Sequence, residues 1–351
     1  MVEVKKISEI LHFLRLVLRS LVALILLLIF SQLALARIYR DHLAAQGWAL
    51  AAQHGPSIVM SWDISLDDGT AKTSKQPRYL CLYDPSTRTA SALVQKELPW
   101  WGAPVLRSDR QTFLYADEAG LWEPQLATGE AQLLIPAGTE NYYHYGFQYV
   151  PGTEDISFHP YSQDSIYKRI PELLYVFHRD TGEIEAVCSI SDGYSYAWLD
   201  SQRLVLPDDR GLAIYDLGTG RSTHWLTLDL IQQPGFRLAA NQSAFVLSED
   251  GSHLAWVGAD LVLYILTITP ETVDDSDRME AGWYGQEETY PGKGHDLRFC
   301  FSPDGEALLY CVQRWKNALF NPVYDTLYLW AEGNTYTLYK AYPNWRLWFD
   351  W

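Results

Sequence analysis

One phrase occurs twice in the second half of this chain. Phe301-Ser302-Pro303-Asp304-Gly305 leads into the apolar run Ala307-Leu308-Leu309-Tyr310, and Val246-Leu247-Ser248-Glu249-Asp250-Gly251 leads into Leu254-Ala255-Trp256-Val257. A recurring supersecondary unit must stack on its neighbours to bury its apolar surface, so the repeat restricts the architecture before any other motif is weighed.

The rest of the body carries the same unit with a weaker signature. Hairpins read at Arg78 to Val94, Gly120 to Ile135, Leu173 to Cys188, Gly211 to Leu226 and Leu327 to Tyr339, with a sixth beginning at Leu261. Their turns (Asp84-Pro85-Ser86-Thr87, Thr128-Gly129, Asp180-Thr181-Gly182, Gly218-Thr219-Gly220, Glu332-Gly333-Asn334) supply the residues that tolerate positive φ. A strand–turn–strand precedes most of them, starting at Val105, Phe147 and Tyr196 and at the two Asp-Gly units. Aromatics make up 14% of the chain, with 14 Trp and 23 Tyr, which suits rings packed between layered sheets. The fold class expected is all-β: a β-propeller of four-stranded blades, preceded by one N-terminal helix. The first hairpin lacks a complete partner, with only Ser57 to Trp62 ahead of it, and Trp345 to Trp351 is an orphan strand. Joined, they make a sixth blade and remove both free edges. Seven blades stay open as the alternative, because the stretch from Glu271 to Gly294 has room for divergent strands.

The Phe-Ser-Pro-Asp-Gly turn, its apolar strand, and then Leu-Tyr and a turn such as Asp180-Thr181-Gly182 resemble the TolB-type, WD-like six-bladed propeller repeat over about residues 57–351. Only the last two inner turns match well. The resemblance implies the fold. Because TolB-type propellers are generally envelope proteins that bind other proteins, it also implies a similar class for this chain.

The N-terminus is built differently. Ser20 to Ala36 reads SLVALILLLIFSQLALA, a helix about 25 Å long, and Lys5, Lys6, Arg15 and Arg19 precede it. That asymmetry holds the N-terminus in the cytoplasm and sends the body across. The expected organisation is a short basic cytoplasmic region (1–19), a transmembrane helix or signal-anchor (20–36), a helical linker (37–55) and the propeller (56–351). The localisation expected is single-pass in the cytoplasmic membrane with the propeller outside. The alternative is secretion after cleavage near Ala36.

Formal net charge is −16; from residue 41 onward 21 basic residues face 41 acidic ones, a net of −20. Such a body repels phosphate backbones, so nucleic acid is not an expected partner. The sequence holds no HExxH, GxSxG, P-loop or Gly-rich dinucleotide turn, and no Cys/His cluster with zinc spacing. No catalytic residue, metal site or cofactor is assigned. Cys300 and Cys311 flank one hairpin, where either a cross-strand disulfide or two buried thiols fit.

In a blade the inner Asp-Gly turns and outer hairpin turns fall on one face, and longer connections fall on the other. The long connections are rich in rings. The candidate binding residues there are Trp100, Trp101, Tyr142, Tyr143, His144, Tyr194, Trp283 and Tyr284 between blades, and Tyr167, Arg169, Trp315 and Lys316 within them. An aromatic crown round a channel mouth suits a protein or peptide partner from the envelope, or a glycan. Packing of these rings between blades is the competing reading. The function expected is a non-enzymatic, membrane-tethered partner-binding module; the alternative is an envelope glycan hydrolase or lyase acting at the channel mouth.

Overall fold

The computed structural model describes residues 2–62, 79–94, 104–137, 143–161, 172–190, 196–228, 245–257, 263–268, 282–283, 297–314, 324–340 and 349–351. The chain divides into two compact units, residues 1–46 and 47–351.

The first unit is helical. Helix α1 (Val2–His54) runs without a break, and no Gly or Pro interrupts its sequence before Gly47. Leu21, Val22, Ile25, Leu27, Ile29, Phe30, Leu33 and Leu35 are exposed along it. Among the described residues no helix is long and apolar enough to cross a membrane.

The second unit is a six-bladed β-propeller. Blade 1 consists of Phe349–Asp350, Ile58–Trp62, Tyr79–Asp84 and Thr89–Val94, from the innermost strand outward. Blade 2 is Val105–Leu106, Phe113–Asp117, Gly120–Pro124 and Ala131–Pro136; blade 3 is Tyr143–Tyr149, Ile156–Tyr161, Glu172–Phe177 and Ile184–Ile190. Blade 4 is Ala197–Asp200, Arg203–Pro207, Gly211–Asp216 and Arg221–Thr227; blade 5 is Phe245–Leu247, His253–Val257, Leu263–Thr267 and Gly282–Trp283. Blade 6 is Leu297–Phe301, Ala307–Arg314, Tyr324–Ala331 and Asn334–Lys340. Every pairing is antiparallel, and the closing strand pairs Val59 with Asp350 and Met60 with Phe349. The closure by a tail strand and the count of six both agree with the sequence reading.

The core shows why the blades read as continuous apolar runs. An open array of six sheets has five interfaces and a closed ring has six. Six buried clusters are present, one between each neighbouring pair of blades, including Ile58 and Met60 of blade 1 against Leu309, Cys311 and Leu327 of blade 6. Each second strand is buried on both faces, with side chains alternating between neighbours. In Phe113-Leu114-Tyr115-Ala116, Phe113 and Tyr115 pack towards blade 1 while Leu114 and Ala116 pack towards blade 3. Cys300 and Cys311 share the cluster between blades 6 and 1 without a disulfide, so of the two sequence readings it is the pair of buried thiols that holds.

The last two turns of α1 belong to the propeller unit. Trp48 packs against Tyr83 with ring centroids 4.6 Å apart and planes tilted by 46°, Ala51 is fully buried, and His54 Nδ1 lies 2.9 Å from Asp304. Gly47 is required by proximity: a Cβ there would stand 2.6 Å from Leu338 and 2.7 Å from Tyr336. This end of the helix therefore lies over the seam where blades 6 and 1 meet.

Candidate functional site

The innermost strands surround a cavity of about 600 Å³ on the ring axis. One mouth is formed by the inner turns, and their chemistry explains the repeated phrase. In blade 6, Ser302 Oγ accepts the Ala307 amide (2.9 Å) and donates to Asp304 (2.6 Å), whose carboxylate also accepts the Glu306 amide (3.1 Å). In blade 5, Ser248, Asp250 and the amides of His253 and Ser252 repeat this arrangement. Gly251 and Gly305 complete the turns at φ 70° and 76°, each donating its amide to the carbonyl three residues back. Burial is the largest single influence on Asp304 and Asp250 and opposes their ionisation, but the serine hydroxyls and turn amides, joined by His54 at Asp304 and His253 at Asp250, together outweigh it and hold both carboxyls below the usual range.

Blade 2 departs from this scheme. Arg107 stands where Ser248 and Ser302 stand, and Arg110 where Gly251 and Gly305 stand, with the same backbone bonds: Arg107 N to Thr112 O (3.0 Å) and Arg110 N to Arg107 O (2.9 Å). Arg110 keeps the left-handed conformation, φ 57°, which costs a non-glycine residue about 1 kcal/mol. Both guanidiniums line the cavity. Arg107 contacts Glu154 of blade 3, lies 3.3 Å from Asp109, and sits 5.8 Å from the centroid of the Tyr149 ring. Arg110 Nη1 donates to the main-chain oxygen of Trp351, and its Nη2 lies 3.8 Å from Glu249 of blade 5, the blade opposite.

Asp350 of the closing strand lines the same cavity. Its carboxylate accepts the Leu106 amide at 2.6 Å, which ties blade 1 to blade 2. Burial pushes its pKa up to about 6 against the pull of Arg110. Burial also drives the Cys300 thiol well above its ordinary value, and Cys81 and Cys188 rise to about 11, so these three thiols are protonated at neutral pH.

Beside this mouth, a polar seam joins blades 2 and 3. Glu123, 5% exposed, accepts Arg179 through both oxygens (2.9 and 2.5 Å) and Tyr149 Oη at 3.0 Å. His178 is held between Asp155 (2.9 Å) and Glu185 (3.2 Å). Among the described residues no group of three or more His, Cys, Asp or Glu side chains could hold a metal ion.

At the opposite mouth the described strands end at Trp62, Val94, Tyr161, Thr227, Trp283, Arg314 and Lys340, and the long stretches of sequence that follow them lie, almost entirely, outside the described residues. Two connections at that end are tight. Asp117 caps the amide of Ala119 (2.8 Å), and Asp208 caps that of Arg210 (2.8 Å) while holding His224 (2.7 Å).

Trp100, Trp101, Tyr142, Tyr194, Tyr284, Tyr167, Arg169, Trp315 and Lys316 lie outside the described residues. Tyr143 and His144 open the innermost strand of blade 3, in register with Tyr161 and Pro160. Trp283 is placed otherwise than read: it lies in the outermost strand of blade 5, opposite Tyr264, rather than between blades. A two-residue pairing that far from its hairpin partner leaves no periodic trace in the sequence. The competing core reading holds for two neighbouring rings. Tyr196 is fully buried and Trp198 nearly so, and both bond Ser157, at 3.0 and 2.8 Å. The residues at the inner-turn mouth, Arg107, Arg110, Glu249 and Asp350, are not identified by the sequence reading. Their signal is the arginine pair at the serine and glycine positions of the repeat.

No protein-family model and no curated protein sequence matches this chain. Solved structures do match. TolB from Acinetobacter baumannii superposes with a TM-score of 0.55 at 14% identity, over 80% of this chain and 63% of that one. The chain thus spans less than two thirds of that protein's length. A putative TolB from Agrobacterium tumefaciens matches at TM-score 0.49 and 13% identity, over 82% and 90% of the two chains. An oligogalacturonate lyase in complex with manganese matches at 0.47 and 15%, over 78% and 73%. At these identities the likeness is one of fold: a TolB-like six-bladed propeller.

Proposed function

We propose that this chain is a membrane-tethered propeller, outside the cytoplasmic membrane, that binds a protein or peptide partner through its long-connection face without catalysing a reaction. The observation that carries the reading is the difference between the two ends of the ring. Inner turns are short and capped by their own side chains, while seven strand-to-strand stretches leaving the other end are eight residues or longer, against one, 268–281, at the inner-turn end. Trp100, Trp101, Tyr142, Tyr143, His144, Tyr194, Tyr167, Arg169, Trp315 and Lys316 are the proposed contacts, with Trp283 and Tyr284 at the rim. Tethering rests on the apolar run Ser20 to Ala36 and the basic residues before it.

The test replaces Trp100, Tyr143 and Trp283 by alanine together and follows site-specific photocrosslinking to partners in intact cells, alongside thermal unfolding. A folded variant that loses a discrete protein adduct is the expected result. A folded variant with unchanged adducts removes the proposed face, and an unfolded one assigns the rings to the core. Release of soluble sugar from envelope glycan by the pure protein would replace binding with catalysis.

A further inference from the structure

The inner-turn mouth carries a second, separate feature. Arg110 is retained at a position where the repeat uses glycine, in a backbone conformation that penalises it. Its Nε is buried and has no hydrogen-bond partner among the described residues. An unmade bond on a shielded donor costs about 1–3 kcal/mol. Two costs at one residue, both avoided by the glycines of blades 5 and 6, call for a return beyond turn formation.

A structural duty accounts for only part of the side chain. Nη1 is used by the main-chain oxygen of Trp351, and the positive charge offsets Asp350. The other edge of the guanidinium, Nε with Nη2, is the edge that takes a carboxylate through two parallel bonds. Here it holds nothing firmly. Its ion-pair partner is Glu249, at 3.8 Å from Nη2, beyond hydrogen-bonding distance, and the Glu249 side chain is 46% exposed. A long pair whose carboxylate side is half-exposed and makes no hydrogen bond is readily exchanged.

We infer that the inner-turn mouth is a binding site for a ligand carboxylate, which displaces Glu249 and engages the Nε–Nη2 edge of Arg110. In the free protein Glu249 reaches from the opposite blade and occupies the approach. Arg107 lines the same wall but is engaged by Glu154 and Asp109. Four carboxylates (Asp109, Glu154, Glu249, Asp350) surround two guanidiniums at this mouth, which favours a single carboxylate over a multivalent anion. A cavity of about 600 Å³ admits either a small organic acid or the acidic side chain of an extended peptide.

The test is calorimetric titration of the full chain in detergent with two probes, N-acetylglycine and the peptide acetyl-Gly-Gly-Glu-Gly-amide. Their controls are N-acetylglycinamide, the Gln peptide and inorganic phosphate. At least one carboxylate probe should bind, with the amides and phosphate at least tenfold weaker; which probe binds identifies the source as small acid or peptide. Arg110→Lys, which keeps the charge and loses the edge, should weaken binding tenfold or more, and Glu249→Gln should tighten it about threefold. Arg110→Gly restores the repeat residue; with its fold checked by melting, it should abolish binding. The site is overturned if neither carboxylate probe binds, if amides or phosphate bind as well, or if Arg110→Lys binds like the unaltered protein. The long-connection face takes no part in these titrations, so their failure leaves the partner reading standing.

Discussion

Gly55 and Trp351 touch where the helix meets the ring: a Cβ on Gly55 would stand 2.4 Å from the Trp351 indole Nε1 and 3.1 Å from Pro303. The first residue after α1, the residue that follows the closing strand and the inner turn of blade 6 therefore share one contact point. His54 adds an edge-on ring contact to Trp351 at 6.4 Å and the bond to Asp304. Closure of the ring is thus secured from two sides, by strand pairing and by the end of the helix.

Gly55→Ala should force this contact apart and cost about 1–3 kcal/mol, read as a lowered melting temperature. Gly218→Ala is the control. Its nearest atom would be Asp216 Oδ1 at 3.5 Å, so its effect should stay within about 0.5 kcal/mol.

Asp350 gives a pH signature of defined sign. Its carboxyl titrates near 6 in the folded ring against 3.8 in the open chain, so the folded state binds the extra proton. Its contribution is fully present below about pH 4 and is lost as pH rises through 6. The groups around it are Arg110, Glu249 and Cys300. Denaturant unfolding of Asp350→Asn beside the unaltered protein should show equal stability near pH 4 and an advantage to the variant of about 2–3 kcal/mol at pH 7. A gap that is constant with pH would contradict the burial of this carboxyl.

His178 shifts in the same direction for a different cause, a gained partner. The bond to Asp155, then that to Glu185, raises its pKa, so its stabilisation is complete below its unfolded value and fades as pH climbs through the folded one. His178→Gln should therefore lose more stability at pH 5.5 than at pH 8.5 in matched urea melts.

Glu123 and Arg179 form a buried pair whose halves are not interchangeable with nothing. Arg179→Met leaves the Glu123 carboxylate buried with only Tyr149 and Thr112 as hydrogen-bond donors, at a cost of about 3–5 kcal/mol. The double variant Glu123→Leu/Arg179→Met should recover most of that loss. A double-mutant cycle by chemical denaturation checks the coupling; additive losses would show that the seam does not act as a unit.

What could be seen in the sequence follows from where each unit keeps its information. Turn residues such as Asp304-Gly305 and Thr128-Gly129 bond locally, so a linear reading finds them and, with them, the blades and the closing tail. The outer strand of blade 5 consists of Gly282 and Trp283 alone, paired to Ile265 and Tyr264 across a long connection, and two residues carry no period. The channel site was hidden for another reason. Arg107 and Arg110 look like solvated turn residues until the turn of blade 2 is laid on those of blades 5 and 6. Glu249 and Asp350 join them only because opposite and neighbouring blades converge on the axis.

Ring closure is tested most directly by removing residues 349–351 and recording thermal unfolding of the full-length and shortened proteins side by side. The deletion takes away the pairs Val59–Asp350 and Met60–Phe349, the Leu106 bond to Asp350, and the burial of Phe349 and Trp351. Each ring buries several kcal/mol, so a fall in melting temperature of at least about 10 °C, or failure to fold, is expected. An unchanged melting temperature would mean that the tail strand does not close the ring.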